Sequence, residues 1–233
     1  MNIGFIGAGK MAEAMIAGLI KAGIAHPGEI YAGEINPERR LQMARNYGIN
    51  CTDANGTVAK TADIIVLAVK PQQAEELLRG LTPRPGPHQL IISIMAGKRL
   101  AWLAELLPAA RLVRVMPNIA CLAGEGMSVF ARGPGATDAD TATVTRLLES
   151  FSRAREMPET LFDAVTALSG SGPAFFAYLL DRLVDGAVAE GMPREAAFAL
   201  ACQTMLGTAR LLADGKMSAQ QVIDAVTSAR GTT

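Results

Sequence analysis

MNIGFIGAGKMAEAMIAGLIKAG, residues 1–23, is the stretch on which the fold turns. Asn2 to Ile6 reads as a strand and Lys10 to Ala22 as a helix. Met11, Met15, Ile16, Leu19 and Ile20 share one face of that helix, and Gly23 lies just past its end. Between strand and helix, Gly7-Ala8-Gly9-Lys10-Met11-Ala12 matches G-x-G-x-x-G/A. Gly7 permits the tight turn, Gly9 lets backbone approach a pyrophosphate, and Ala12 is small enough for close helix–strand packing. The helix start then presents unpaired N–H groups and a positive dipole end to phosphate. Placed at the head of a strand–helix series, the motif reads as a dinucleotide loop rather than a merely structural turn.

Working outward, strands and helices keep alternating. Ile30 to Gly33 is a second strand, and Asn36-Pro37 supplies an N-cap and a proline that open a helix to about Tyr47. Strand runs follow at Asp63 to Val69, Leu90 to Met95, Leu112 to Met116 and Met127 to Ala131, with helical stretches at Gln72 to Arg79 and Leu100 to Leu107. A helix around Asp140 to Phe151 and a strand near Ala154 to Met157 end the series. Such alternation predicts an α/β, Rossmann-type, mostly parallel sheet with helices on both faces. From Pro158 onward only helices are expected. Phe175, Phe176, Leu179, Leu180, Leu183, Val184, Ala187 and Val188 form a wide apolar stripe, and further helices run from about Arg194 to Ala213 and from Ser218 to about Thr227. The expected division is a dinucleotide-binding domain over 1–157 and a C-terminal all-helical dimerisation and substrate domain over 158–233.

Composition narrows the function classes. Of 233 residues, 50% are apolar and 19% charged, enough for a buried core and too apolar for a disordered chain. The 22 basic residues balance 22 acidic ones, which disfavours nucleic acid and anionic membrane as partners. Three cysteines without a CxxC pair fit a reducing compartment, and two histidines leave no zinc-type spacing and little scope for Ser-His or Cys-His catalysis. No basic segment precedes an apolar one at the start. The most apolar stretches, such as 64–69 and 174–180, fall short of the about 20 residues that cross a bilayer. A soluble, cytoplasmic protein acting on a small molecule is expected.

Several residues are candidates for the site. Glu34, about twenty residues beyond the glycine loop, sits where an acid binds the ribose 2′-hydroxyl of NAD and repels the 2′-phosphate of NADP. Arg39 and Arg40 are placed either to reach that phosphate or to stand in solvent, so NAD and NADP both stay open. Ala68-Val69-Lys70-Pro71, Ser93 to Gly97 and Arg114 to Asn118 each end a strand at the sheet edge where ligands bind, although loop geometry alone explains such endings. Leu168 to Ala174 is rich in glycine and serine, suited either to close approach of a ligand or to a flexible connection. Ser228 to Thr233 reads as a carboxylate-binding nest or as a frayed terminus.

Taken together, these motifs resemble the pyrroline-5-carboxylate reductase family along essentially the whole chain. The likeness rests on FIGAGKMAEA, AVKP at 68–71, SIMAG at 93–97, VRVMPN at 113–118, GEGM at 124–127, ALSGSGPAFF at 167–176, GMPREAA at 191–197 and VTSARGTT at 226–233. It implies hydride transfer from NADPH or NADH to the C=N carbon of 1-pyrroline-5-carboxylate, giving L-proline. That chemistry asks the protein for alignment and electrostatics rather than a nucleophile. Residue by residue, it implies that Ile6, Gly7, Ala8, Gly9, Lys10 and Met11 hold the pyrophosphate. Asn55, Ala68, Val69, Lys70, Pro71, Ala96 and Gly97 contact the rest of the cofactor. Ser228, Gly231 and Thr232 bind the substrate carboxylate, and Thr233 reaches the ring nitrogen. No metal is implied. A homodimer or higher homo-oligomer with intertwined helical domains is.

Two departures stand out. Ala229-Arg230 replaces the family's Pro-Gly, so the carboxylate loop is either reshaped or gains Arg230 as a partner for the substrate carboxylate. Ile119-Ala120 replaces Thr-Pro. The sequence stops at Thr233 where the family continues into further helices, which implies a substrate loop with no helix after it. A catalytically impaired NAD(P)-binding dimeric remnant, or another imine or hydroxyacid reductase, therefore stands as an alternative. A separate helical part over 158–233 is also close to the size at which a lone core is marginal, which again implies dimerisation.

Overall fold

A computed structural model describes residues 1–227. Eight strands, β1 (Ile3–Ile6), β2 (Ile30–Gly33), β3 (Asn50–Thr52), β4 (Ile64–Leu67), β5 (Leu90–Ser93), β6 (Arg111–Met116), β7 (Gly126–Arg132) and β8 (Ser152–Glu156), form one sheet. Their order is β3-β2-β1-β4-β5-β6-β7-β8. Every pair is parallel except β6 with β7. The chain leaves β1 toward β2 on one side and returns through β4 on the other. That reversal opens a crevice at the carboxyl ends of β1 and β4, the expected place for a ligand in a doubly wound sheet.

Period-two alternation explains why the central strands are apolar throughout. Ile3, Phe5, Ile64, Val66, Leu90 and Ile92 enter one core. Ile6, Ile65, Leu67 and Ile91 enter the other. The first core is covered by Ala12, Met15, Ile16 and Leu19 of α1 (Lys10–Lys21) and Met43 of α2 (Pro37–Tyr47). The second is covered by Val58 and Ala59 of α3 (Asn55–Thr61), Ala74 and Leu78 of α4 (Ala74–Gly80) and Leu100, Leu103 and Leu106 of α5 (Leu100–Leu106). Val144, Leu147 and Leu148 of α6 (Asp138–Leu148) return to the first core. Asn36 caps α2 as its sequence predicts, its side-chain oxygen accepting from the N–H groups of Glu38 (2.9 Å) and Arg39 (3.2 Å).

The fold class is the one the sequence predicts, and most elements fall within a residue or two of their expected bounds. The strand β3 is new, and so is the helix α3. The helix is short, carries Gly56 in its first turn and shows no extended apolar period, so nothing local announces it. Tertiary space makes it: Gly4 of β1 has no side chain, and a Cβ there would lie 2.5 Å from Val58 Cγ1.

By its internal packing, the first compact unit runs through Pro173, while the change to a helices-only pattern puts the expected division at Met157. Glu159 ties the segment between the two positions to the sheet. Its carboxylate accepts from the Leu100 N–H and from Arg114, both at 2.8 Å, and Arg114 is buried beneath the Phe162 ring, 4.7 Å from its centroid. Phe162 and Val165 of α7 (Phe162–Val165) complete the second core. A π-helical turn, Thr166–Gly170, then leads into α8 (Gly172–Ala189).

The second unit, from Ala174 onward, comprises most of α8 with α9 (Arg194–Ala213) and α10 (Ala219–Val226). Its own core is small, built on Leu180, Val184 and Ala197. Phe175 and Phe176 are 62% and 61% exposed, and Tyr178, Leu179, Leu183, Phe198 and Leu200 are exposed as well. By length and composition α9 is long and apolar enough to cross a bilayer, which corrects the expectation that no stretch reaches that length. Its charges are Arg194 and Glu195 at the start and Arg210 near the end, so an 18-residue stretch of it qualifies although no unbroken apolar run does.

Candidate functional site: a cleft at the sheet crossover

The crevice at the β1–β4 crossover is a cleft of about 850 Å³. Its floor is the glycine loop. Gly7 has φ +95°, and a Cβ there would lie 2.7 Å from the Ala68 carbonyl oxygen, so only glycine lets the loop pass under the end of β4. Gly9 differs: its φ is −69°, it precedes α1 as N-cap, and an added Cβ would meet nothing within 4 Å. The open space over Gly9 and the start of α1, which no side chain caps, suit a phosphate group.

Side chains from β2 and α2 grip the loop at Ala8. Glu34 Oε2 accepts from the Ala8 N–H (3.3 Å), while its Oε1 accepts from the Asn36 N–H (3.0 Å). Arg39 Nε donates to the Ala8 carbonyl (2.8 Å) and its Nη2 to Glu13 Oε2 (2.7 Å). Tyr47 donates to the other Glu13 oxygen at 3.0 Å. Burial pushes the Glu13 carboxyl up, and the Arg39 and Tyr47 hydrogen bonds outweigh it, leaving Glu13 below the usual carboxylate range. Glu13 is thus held ionised as the anchor that keeps Arg39 on the loop.

Gly33 opens the opposite wall. A Cβ there would lie 2.2 Å from Asn55 Oδ1, so the missing side chain lets Asn55 close against the end of β2. Of the residues expected from the sequence, Gly7, Ala8, Gly9, Glu34, Asn55, Ala68, Val69 and Lys70 line this one cleft. Ile6 is buried at the end of β1, and Met11 is packed against the first core. Lys10, Pro71, Ala96 and Gly97 lie outside the cleft lining, the last two exposed in the turn after β5. Ser228, Gly231, Thr232 and Thr233 lie outside the described residues.

The wall that sequence reasoning missed is Gln73, Glu76, Leu77 and Gly80 with Leu81 and Thr82. The spacing of the first four, i, i+3, i+4, i+7, is one helix face and was the available signal. Asn118, at the end of β6, is used internally. Its amide donates to the Ser169 carbonyl (3.1 Å) and accepts from the Met127 N–H (3.2 Å), pinning the π-helical turn to the sheet.

A glycine loop into the first helix, a crossover cleft and an acid at the end of β2 define a dinucleotide-binding Rossmann domain of the kind found in oxidoreductases. Family models agree: residues 2–97 match "NADP oxidoreductase coenzyme F420-dependent" and residues 159–233 match "Pyrroline-5-carboxylate reductase dimerisation". The pyrroline-5-carboxylate reductase of Methanosarcina acetivorans is 42% identical over 233 residues, covering 100% of this chain and 86% of that protein. That of Glycine max is 38% identical, with 100% and 85% covered. Among solved structures, the NADP-bound pyrroline carboxylate reductase of Plasmodium falciparum superposes with a TM-score of 0.89 at 30% identity, covering 99% of this chain and 86% of that one. The chain belongs to the pyrroline-5-carboxylate reductase family.

Proposed function

We propose that this chain reduces 1-pyrroline-5-carboxylate to L-proline with a reduced nicotinamide dinucleotide, and that it does so as a homodimer in the cytoplasm. The observation that carries this proposal is the whole-chain likeness to pyrroline-5-carboxylate reductases, joined to a cleft whose glycine loop is open where a diphosphate must sit. When bound, the nicotinamide supplies the hydride. The C=N carbon accepts it, the C=N π pair goes to the nitrogen, and the ring nitrogen's proton, already present in the iminium form, remains there.

The N–H groups at the start of α1, beside Gly9, bind the diphosphate, and the dipole of α1 favours its charge. Glu34 orients the adenosine ribose, and Asn55, Ala68, Val69 and Lys70 shape the path toward the nicotinamide. Ser228, Gly231 and Thr232 hold the substrate carboxylate, and the Thr233 hydroxyl orients the ring nitrogen. An acceptor that is already electrophilic needs alignment in a dry site more than an acid–base pair. The exposed aromatic face of α8 is covered by the second subunit.

The test is oxidation of NADH or NADPH by purified protein on addition of pyrroline-5-carboxylate. Turnover supports the proposal. Cofactor binding without turnover, in a folded dimer, refutes it.

A further inference from the structure

We propose that this chain selects NADH over NADPH, with Glu34 as the selecting residue. The inference rests on the dinucleotide reading of the cleft given above. Glu34 lines the cleft at the end of β2, and its carboxylate is fixed there from two sides by the Ala8 and Asn36 N–H groups. An acid at this position accepts the ribose 2′-hydroxyl, whereas a 2′-phosphate brings a second anion against it. Juxtaposed like charges in a partly desolvated site are strongly unfavourable.

The two arginines that could offset this repulsion are engaged elsewhere, Arg39 through all three guanidinium nitrogens and Arg40 through Nη1. Arg39 donates through Nε to the Ala8 carbonyl, through Nη1 to Gln42 (2.8 Å) and through Nη2 to Glu13 (2.7 Å). Its side chain is only 20% exposed. Arg40 donates through Nη1 to the carbonyls of Glu34 (2.8 Å) and Ile35 (3.0 Å), and its Nη2 lies 3.6 Å from Asp53. Turning either guanidinium toward a phosphate leaves backbone carbonyls or the Glu13 carboxylate without their donor. Lys70, a cation that lines the cleft, follows β4, on the far side of β1 from Glu34. The P. falciparum relative carries NADP in its structure, so the proposal gives this chain a cofactor preference of its own.

Equilibrium titration of NADH and of NADPH, read by nicotinamide fluorescence without substrate, tests it. The wild-type protein is expected to bind NADH at least about tenfold more tightly than NADPH. Glu34→Gln keeps an acceptor for the Ala8 N–H but removes the charge. It is expected to tighten NADPH binding and narrow the ratio by at least about fivefold. Arg40→Gln is expected to change both affinities by the same factor. A thermal melt confirms that each variant is folded. Equal or tighter NADPH binding by the wild type overturns the proposal. So does an unchanged ratio in Glu34→Gln, or a selective loss of NADPH binding in Arg40→Gln. Tight NADH binding with no oxidation on adding pyrroline-5-carboxylate leaves the selectivity standing and refutes the proposed reaction. Failure to bind either cofactor overturns both.

Discussion

Alanine at Gly7 and at Gly9 should fail in opposite ways. At Gly7 the new Cβ meets backbone that cannot rotate aside: the Ala68 carbonyl oxygen at 2.7 Å and its carbon at 2.9 Å, with Val69 Cγ1 at 3.0 Å. The φ of +95° adds conformational strain of about 1–3 kcal/mol for a residue with a side chain. Overpacking contributes about another 1–3 kcal/mol. Gly7→Ala should therefore lose at least about 2 kcal/mol of folding stability. At Gly9 the φ of −69° suits alanine and the Cβ meets nothing, so Gly9→Ala should stay within about 1 kcal/mol of wild type, the range expected for an N-cap change. Yet that methyl stands in the space assigned to the diphosphate, and Gly9→Ala should weaken NADH and NADPH alike by at least about tenfold. Urea titration and cofactor binding, measured on both variants, separate the two effects. A stable Gly7→Ala, or a Gly9→Ala that binds cofactor like wild type, refutes the account of the loop.

Other perturbations probe parts further from the loop. Asn118→Ala removes the partner of the Ser169 carbonyl and the Met127 N–H and should cost about 1–3 kcal/mol in urea unfolding, with faster proteolysis near the π-helical turn. Burial alone raises the Asp140 carboxyl, but the Thr137 N–H and hydroxyl and the Arg111 guanidinium together hold it below its ordinary 3.8. Its contribution is thus complete above about pH 4 and is lost as pH falls through the lowered folded value. Asp140→Asn should be less stable than wild type at pH 7, and its stability should fall less steeply in acid melts below pH 4. Replacing Phe175 and Phe176 together by Asp should dissociate the dimer in light-scattering chromatography, while wild type stays dimeric across the same concentrations.

What was legible in the sequence was local or periodic. The alternating apolar runs placed every strand except β3, the Asn36-Pro37 pair placed the start of α2, and Arg194 to Ala213 was bounded at both ends by its own chemistry, proline before it and a polar turn after it. The loop residues Gly7 to Gly9 and the acid at Glu34 were legible as lining of one cleft because a dinucleotide motif calls for those residue types at that spacing. What was not legible depends on contacts distant in sequence. The helix α3 exists because Gly4, far back in β1, leaves room for Val58. Glu159 neutralises a buried arginine on β6, a contact that composition cannot reveal. The Gln73-to-Gly80 wall has a helical period, but only the crossover at β1 and β4 turns that face toward the cleft. The engagement of Arg39 and Arg40 is likewise a tertiary fact, and the proposed preference for NADH rests on it.

The most direct test of the account is product analysis: purified protein, pyrroline-5-carboxylate and NADH, with the amino acid formed resolved on a chiral phase. The account predicts L-proline in one-to-one proportion to the NADH oxidised. Folded, NADH-binding protein that forms no proline, or that oxidises NADH without forming it, would contradict the central claim.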